Sequence, residues 1–142
     1  SIYNGLSQLD PDTRIILIHD AVRPLVRNDE IEAVIKSTEE KGAAIVASPM
    51  KLTVKKVDSS NDIIETVPRH DLWMAQTPQG FKRDILVNAY DKIKDTNEEF
   101  TDDAEVVEKA GHTVGIVSGS YDNIKITTRE DLRLAELLLA NC

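Results

Sequence analysis

Ile15-Ile16-Leu17-Ile18-His19-Asp20-Ala21-Val22-Arg23-Pro24 is the run around which the rest of the chain is organised. Four consecutive apolar residues lead straight into a carboxylate, and three positions later an arginine precedes a proline. An unbroken, branched-rich apolar run bounded by turn residues suits a strand buried on both faces, as in a parallel sheet. Pro24 disfavours helix at Arg23, so the chain leaves the strand in an extended or turning conformation. Asp20 and Arg23 are then expected at the carboxyl end of a central strand, the edge of an open α/β sheet at which ligands bind. A carboxylate there can hold a divalent metal or accept from hydroxyls, and an arginine can grip an anion through two parallel hydrogen bonds. The same pair could instead cap a turn and bond only each other.

Outward from this run, a strand–helix–strand unit is expected. Ile2, Tyr3, Leu6 and Leu9 have helical spacing, and Asp10-Pro11-Asp12 is a turn ahead of the strand at 14–19. Asn28 can cap a helix with Asp29 and Glu30 in its first turn, where acids suit the dipole. Ile31, Val34 and Ile35 form its buried stripe, Gly42 ends it, and Ala43 to Ala47 is a second strand closing near Pro49. This reads as a βαβ unit with a right-handed crossover. Residues 50–70 then form a hairpin: Thr53 to Val57, a turn at Ser59-Ser60-Asn61-Asp62, and Ile63 to Val67. It has too little apolar surface to stand alone, so it should pack on something else, a second subunit being one option.

Trp73 to Phe81 returns to the core and then turns. Lys82 to Ile93 is a helix with Ile85, Leu86, Ala89, Tyr90 and Ile93 inward. Thr101-Asp102-Asp103-Ala104 is a helix start with a hydroxyl cap, carrying Val106, Val107 and Ala110 to a stop at Gly111. His112 to Val117 is a further strand, and Tyr121 to Thr127 crosses in extended form. Thr128-Arg129-Glu130-Asp131 caps a last helix that turns Leu132, Leu134, Ala135, Leu138 and Leu139 inward.

Composition bounds the function. The 142 residues fit one domain, 41% hydrophobic and 30% charged, and only 4% aromatic content makes the core aliphatic. A net charge of −8 argues against nucleic acid as a partner but not against a small anion. The single cysteine, Cys142, allows no internal disulfide and fits a reducing compartment. No apolar run approaches the roughly 20 residues of a membrane span, and no secretory leader is visible, so a cytoplasmic location is expected. The chain opens Ser1-Ile2-Tyr3-Asn4-Gly5-Leu6 without an initiator methionine, which reads as an internal fragment.

No cysteine–histidine cluster suggests zinc, no nucleophile elbow is present, and no Gly-rich phosphate loop occurs. His19, His70 and His112 are scattered and read as structural or surface residues. What remains is a set of cations and hydroxyls that follow elements ending near Asp20: Arg23, Arg69, Thr77, Thr101 and Lys125. Their shared role would be binding an organic phosphate. Singly, Thr101 reads as a cap, Thr77 as a turn residue, and Arg69 or Lys125 as a solvated charge.

Taken together, Asp20-Ala-Val-Arg-Pro24, Thr77-Pro-Gln-Gly-Phe81, Thr101-Asp-Asp-Ala104 and Asp122-Asn-Ile-Lys-Ile-Thr127 resemble, in order and spacing, the 2-C-methyl-D-erythritol 4-phosphate cytidylyltransferases. The resemblance runs to the final Glu130-Asp131-Leu132 helix. It implies a Rossmann-like α/β fold of the nucleotide-diphospho-sugar transferase type, with a mixed, mostly parallel sheet flanked by helices. It implies a single domain over 1–142, N-terminally incomplete, with residues 50–70 as an arm. The reaction implied is attack of a sugar-alcohol phosphate on the α-phosphorus of CTP, giving a CDP-alcohol and pyrophosphate for isoprenoid synthesis. Asp20 matches an acidic residue near magnesium and the substrate hydroxyls, and Arg23 a polyol contact. Lys125 and Arg69 match the cations that hold the attacking phosphate; with Asp20 they form the expected catalytic set. Thr77 and Thr101 match hydroxyl donors to that phosphate. Thr53 matches a hairpin threonine that reaches the polyol. In this family the hairpin embraces a second subunit, which implies a homodimer in which Thr53 and Arg69 complete the neighbour's site. Ser1 matches a nucleotide-contacting serine.

The family's Gly-rich loop with its arginine and lysine would precede Ser1, so the 142-residue polypeptide by itself is not expected to turn over. Asp122 and Asn123 are candidate second metal ligands by proximity to Lys125. A plant-type source would place the protein in the plastid stroma instead of the cytoplasm. The nearest rival is a ribitol-5-phosphate cytidylyltransferase; Trp73 ahead of Ala75-Gln76-Thr77-Pro78-Gln79, with Thr101 to Ala104, inclines to the methylerythritol branch. A rival of another class is a non-catalytic binding or dimerisation module, favoured by the missing loop and opposed by Asp20, Arg69 and Lys125.

Overall fold

A computed structural model describes residues 2–94, 96 and 98–140. Helix α1 (Ile2–Leu6) precedes β1 (Ile15–Ile18), and α2 (Asn28–Lys41) with β2 (Ala43–Pro49) completes the strand–helix–strand unit. The hairpin of β3 (Val54–Val57) and β4 (Ile63–Val67) follows as a separate two-stranded sheet. The chain then runs through β5 (Trp73–Lys82), α3 (Arg83–Ile93), α4 (Asp103–Lys109), β6 (Gly115–Ser118) and α5 (Arg129–Leu139). No helix among the described residues is long and apolar enough to cross a membrane.

The four-stranded sheet has the order β1-β5-β2-β6 and is flanked by helices, the mixed α/β arrangement the sequence leads one to expect. Three of its strands, β1, β2 and β6, point the same way, as a mixed, mostly parallel sheet implies, and one is reversed. β2 and β6 are parallel, but β5 runs antiparallel to both β1 and β2. β1 is therefore the end strand among those described, not a central one, and Leu17 is 36% exposed where burial on both faces was expected. One cause underlies both differences: β5 is inserted between β1 and β2.

Pro78 and Gly80 are strand breakers, yet the segment expected to end in a turn there is the longest strand. A bulge accommodates the proline. Ile45 pairs with Gln79 and Ala47 with Ala75, so β5 advances four residues while β2 advances two. Proline lacks the N–H a regular ladder needs, and a bulge removes that demand while bending the strand and re-aiming its side chains. The Thr77–Pro78 peptide is cis.

Alternate side chains of β5 serve the two faces. Phe81 packs with Ala43, Leu86, Ala89, Val106 and Val107 beneath α3 and α4. Gly80 faces α2, where an added Cβ would lie 2.4 Å from Thr38 Oγ1 and 2.7 Å from Val34 Cγ1. Only glycine lets α2 sit this close to the sheet.

Arg27, not Asn28, is the N-cap of α2, and its backbone N–H donates to Glu30 Oε2 at 3.0 Å. Gly42 ends the helix at φ 93°, as its position promised. Thr128 caps α5 by accepting from the Asp131 N–H at 3.1 Å. The leucines of α5 do not all turn inward: Ala135 is its buried residue, while Leu132, Leu134 and Leu139 are largely exposed. Helical period decides which side chains share a face, not whether another element covers it.

Candidate active site

A cavity of about 310 Å³ opens at the carboxyl end of β1 and is lined by Asp20, Arg23, Gln76, Thr77, Gln79, Thr101, Asp102, Asp103 and Lys125. A larger one, about 520 Å³, lies at the other end of β1 beside Arg14, Glu39 and Arg83, and none of the expected site residues lines it. Four segments build the smaller cavity: the turn after β1, the bulge of β5, the turn before α4, and the 120–127 loop.

Asp20 sits at its centre. Its Oδ2 is 3.2 Å from Arg23 Nε and 3.3 Å from Lys125 Nζ. The turn-capping pair and the ligand edge are thus one arrangement, because the two residues bond each other while facing the cavity. Partial burial pulls the Asp20 carboxyl upward, but the Arg23 and Lys125 hydrogen bonds and charges outweigh it and leave it below the ordinary aspartate value.

A buried amide holds the cations in place. Asn123, fully buried, donates from Nδ2 to the Thr77 carbonyl at 2.9 Å, and its own carbonyl accepts from Arg23 Nη1 at 2.7 Å. Asn123 thus braces the site through Nδ2 and its backbone carbonyl, while its buried side-chain Oδ1 has no hydrogen-bond partner; Asp122 is exposed. Glu30, 2% exposed, accepts from the Ser120 N–H through Oε1 at 2.5 Å, tying the 120–127 loop to α2. Tyr121 donates to the Pro49 carbonyl at 2.8 Å, with Lys51 Nζ 3.1 Å above its ring centre.

The cap of α4 is Asp102, whose Oδ1 accepts from the Glu105 N–H at 2.9 Å. Thr101, expected to cap, instead donates its N–H and its hydroxyl to Glu105 Oε2 at 2.8 and 2.9 Å. Gln79 locks this turn to β5, donating to Asp102 Oδ2 at 2.9 Å and accepting from the Ala104 N–H at 3.1 Å. Asp103 accepts from the Tyr90 hydroxyl at 2.5 Å. Burial pushes the Asp103 carboxyl up, the Tyr90 bond opposes this, and nearby Asp102 adds to it. The Tyr90 phenol is pushed well up by burial and by that same bond.

His19 links the turn after β1 to the bulge. Its Nδ1 lies 2.9 Å from Thr77 Oγ1 and its Nε2 lies 3.1 Å from the Arg23 carbonyl oxygen. The Thr77 oxygen also accepts from the Asp20 N–H at 3.0 Å.

Asp20, Arg23, Thr77, Thr101 and Lys125 therefore come together. Arg69 and Thr53 do not line this cavity. The Arg69 guanidinium donates to the Lys51 carbonyl at the root of the hairpin, and Thr53 is exposed just ahead of β3. Ser1 lies outside the described residues. Glu30, His19 and Gln79 were not legible as site residues, the motifs around His19 and Gln79 being the only hint; Asn123 was read as a candidate metal ligand, and its bracing role was not.

The two carboxyls at the cavity should titrate in opposite directions. In a ¹³C titration, Asp20 is expected below the ordinary aspartate midpoint and Asp103 above it. Asp20 then contributes stability that is present above the ordinary carboxyl range and lost as pH falls through its lowered value. The contribution of Asp103 is present in acid and lost as pH rises through its raised value. A common midpoint for the two would refute this electrostatic arrangement.

Chemically, the cavity offers an anion the Lys125 ammonium and the remaining Arg23 N–H groups, and offers hydroxyls the Asp20 carboxylate. Among the described residues no three His, Cys, Asp or Glu side chains gather as a metal site. A divalent ion would find one central carboxylate, Asp20, which fits magnesium as nucleotide sites hold it, with waters and substrate phosphates as further ligands.

Mixed, Rossmann-like sheet and edge cavity together define a nucleotidyltransferase-type α/β domain. The family described as IspD, 2-C-methyl-D-erythritol 4-phosphate cytidylyltransferase, matches residues 1–141. The chain belongs to that family. A Pelotomaculum thermopropionicum protein named 2-C-methyl-D-erythritol 4-phosphate cytidylyltransferase is 46% identical over 98% of this chain and 58% of its own length. A chloroplastic rice protein of the same name is 40% identical over 98% of this chain and 47% of its own. The crystal structure of the 4-diphosphocytidyl-2C-methyl-D-erythritol synthase of Anaerococcus prevotii superposes with a TM-score of 0.92 at 34% identity, covering 99% of this chain and 63% of that one. The chain thus spans less than two thirds of the length of these relatives.

Proposed function

We propose that this chain takes part in cytidylyl transfer, joining CTP to 2-C-methyl-D-erythritol 4-phosphate to give the CDP-alcohol and pyrophosphate in isoprenoid precursor synthesis. The observation that carries the proposal is the convergence of Asp20, Arg23 and Lys125 on one cavity with the two threonines beside them. An oxygen of the alcohol phosphate forms a bond to the α-phosphorus of CTP while the bond to the bridging oxygen breaks and pyrophosphate leaves. Little covalent work falls to the protein, so positioning and cation placement dominate. Lys125 and Arg23 hold the attacking phosphate against Asp20, which accepts from the polyol. Thr77 and Thr101 shape the same pocket, Thr101 after release from Glu105. Magnesium, bound through Asp20, would neutralise triphosphate charge. Ser1 is assigned to the nucleotide. The compartment we assign is the cytoplasm, or a plastid in a plant-type source, the rice relative being named chloroplastic. ³¹P NMR of CTP, magnesium and the alcohol phosphate, run on a protein of the relatives' full length that carries these residues, tests the proposal, with ribitol 5-phosphate run beside it. Absence of the CDP-alcohol refutes it, and faster turnover of ribitol phosphate moves the substrate assignment.

Residues 50–70 are the proposed homodimer arm, which would bring Arg69 and Thr53 to a neighbour's cavity. The supporting observation is that neither lines its own. Arg69→Ala and Lys125→Ala variants, each inactive alone, should recover about one quarter of wild-type activity on mixing, since half the dimers then carry one intact site of two. No recovery after subunit exchange would show that Arg69 serves its own subunit, and a fully active Arg69→Ala protein would place it outside the reaction.

A further inference from the structure

We propose that His19 is a positioning residue that fixes the direction of the Thr77 hydroxyl proton, so that Thr77 faces the cavity as a hydrogen-bond acceptor and selects a ligand hydroxyl over a phosphate oxygen. The inference rests on the proposed function for the identity of the ligand, but not for the geometry.

The bonding inventory leaves one solution for the neutral ring. The Arg23 carbonyl oxygen can only accept, so the 3.1 Å contact requires His19 Nε2 to carry its proton. The neutral imidazole has one N–H, so Nδ1 is bare and can only accept. The 2.9 Å contact between Nδ1 and Thr77 Oγ1 is then a bond donated by the threonine. A hydroxyl has one proton and two lone pairs. The proton of Thr77 goes to His19, and one lone pair receives the Asp20 N–H at 3.0 Å. What Thr77 has left for the cavity is a single lone pair. A phosphate oxygen has no proton to offer it; a polyol hydroxyl has.

This sorts the cavity's groups by what each can bond. Phosphate falls to Lys125 and Arg23, the groups with N–H donors to spare, and ligand hydroxyls fall to Thr77 and Asp20. Thr77 is thereby a polyol contact rather than a phosphate donor. His19 need touch no ligand to have this effect, because it acts through the threonine.

¹⁵N spectra of the chain in alkaline buffer read the tautomer directly, with the His19 signals assigned by their loss in His19→Gln. Protonated Nε2 and bare Nδ1 are expected; protonated Nδ1 overturns the proposal. Binding of 2-C-methyl-D-erythritol 4-phosphate and of inorganic phosphate supplies the second arm. Thr77→Val should weaken the polyol phosphate about three- to tenfold, the worth of one hydrogen bond, and leave inorganic phosphate unchanged. His19→Gln, whose amide reaches only towards the Nε2 position, should lose the same preference. His19→Asn, which places an acceptor near Nδ1, should keep it. Equal loss of both probes in Thr77→Val, or equal effects of Gln and Asn, overturns the proposal. If the wild-type chain takes up neither probe, the proposed function fails and the tautomer alone decides the role of His19.

Discussion

In a protein of the relatives' full length that carries these residues, Lys125→Ala is expected to lower kcat/KM for cytidylyl transfer by about 10²- to 10³-fold, the usual loss when a donor to developing negative charge is removed. Two effects act together. The attacking phosphate loses its ammonium partner, and Asp20 loses one of the two cations that hold its carboxyl low, so an incompletely neutralised carboxylate then faces the incoming anion. Fold stability should hardly change, because the Lys125 side chain is 49% exposed and exposed ion pairs contribute about 0–1 kcal/mol. Steady-state kinetics beside a urea melt separates the two quantities. A loss below tenfold would show that Lys125 is a surface charge, and a parallel fall in stability would show that it holds the fold instead.

Glu30→Ala should be the costlier change for the fold, at about 3 kcal/mol, from loss of two hydrogen bonds to a buried carboxylate. One is the capping bond from the Arg27 N–H, the other the bond from the Ser120 N–H. The second bond gives Glu30 reach into the site, since the loop it anchors carries Asn123 and Lys125. Stability and ligand affinity should therefore fall together, in contrast to Lys125→Ala. Glu30→Gln keeps one acceptor and should recover part of both. Denaturation and ligand titration of the three variants check this; a Glu30→Ala protein as stable as wild type would mean the loop is held elsewhere.

The order of elements was readable because each carries a local signal. Gly42 and the Ala43 to Ala47 run mark the junction of α2 and β2, and the turn at Ser59 to Asp62 marks the hairpin. Placement of β5 was not readable, because Pro78 and Gly80 argue locally against a strand. Only the bulge opposite Val46 and the close approach of α2 reconcile them with one. The apolar run at 15–18 indicates a strand but not its neighbours, so its end position stayed hidden. At the site, Asp20, Arg23, Thr77, Thr101 and Lys125 followed from charge, hydroxyls and motif order. Glu30 looked like a first-turn acid suited to the helix dipole, and nothing local signals its bond to Ser120, 90 positions away. His19 and Asn123 act through long-range bonds of the same kind, which composition and period do not encode.

The insertion of β5 also constrains how the molecule comes together as it is made. Ile15 pairs with Lys82, 67 positions later (82 − 15), and no described strand adjoins β1 until then. β2 likewise lacks its antiparallel neighbour until Trp73 and the residues after it exist. Between β2 and β5 lies the hairpin, whose closure needs only contacts across a short turn and shortens the loop that remains to be closed. The hairpin is thus a clasp for the emerging chain: it draws the two ends of its own segment together and delivers the strand that locks the sheet.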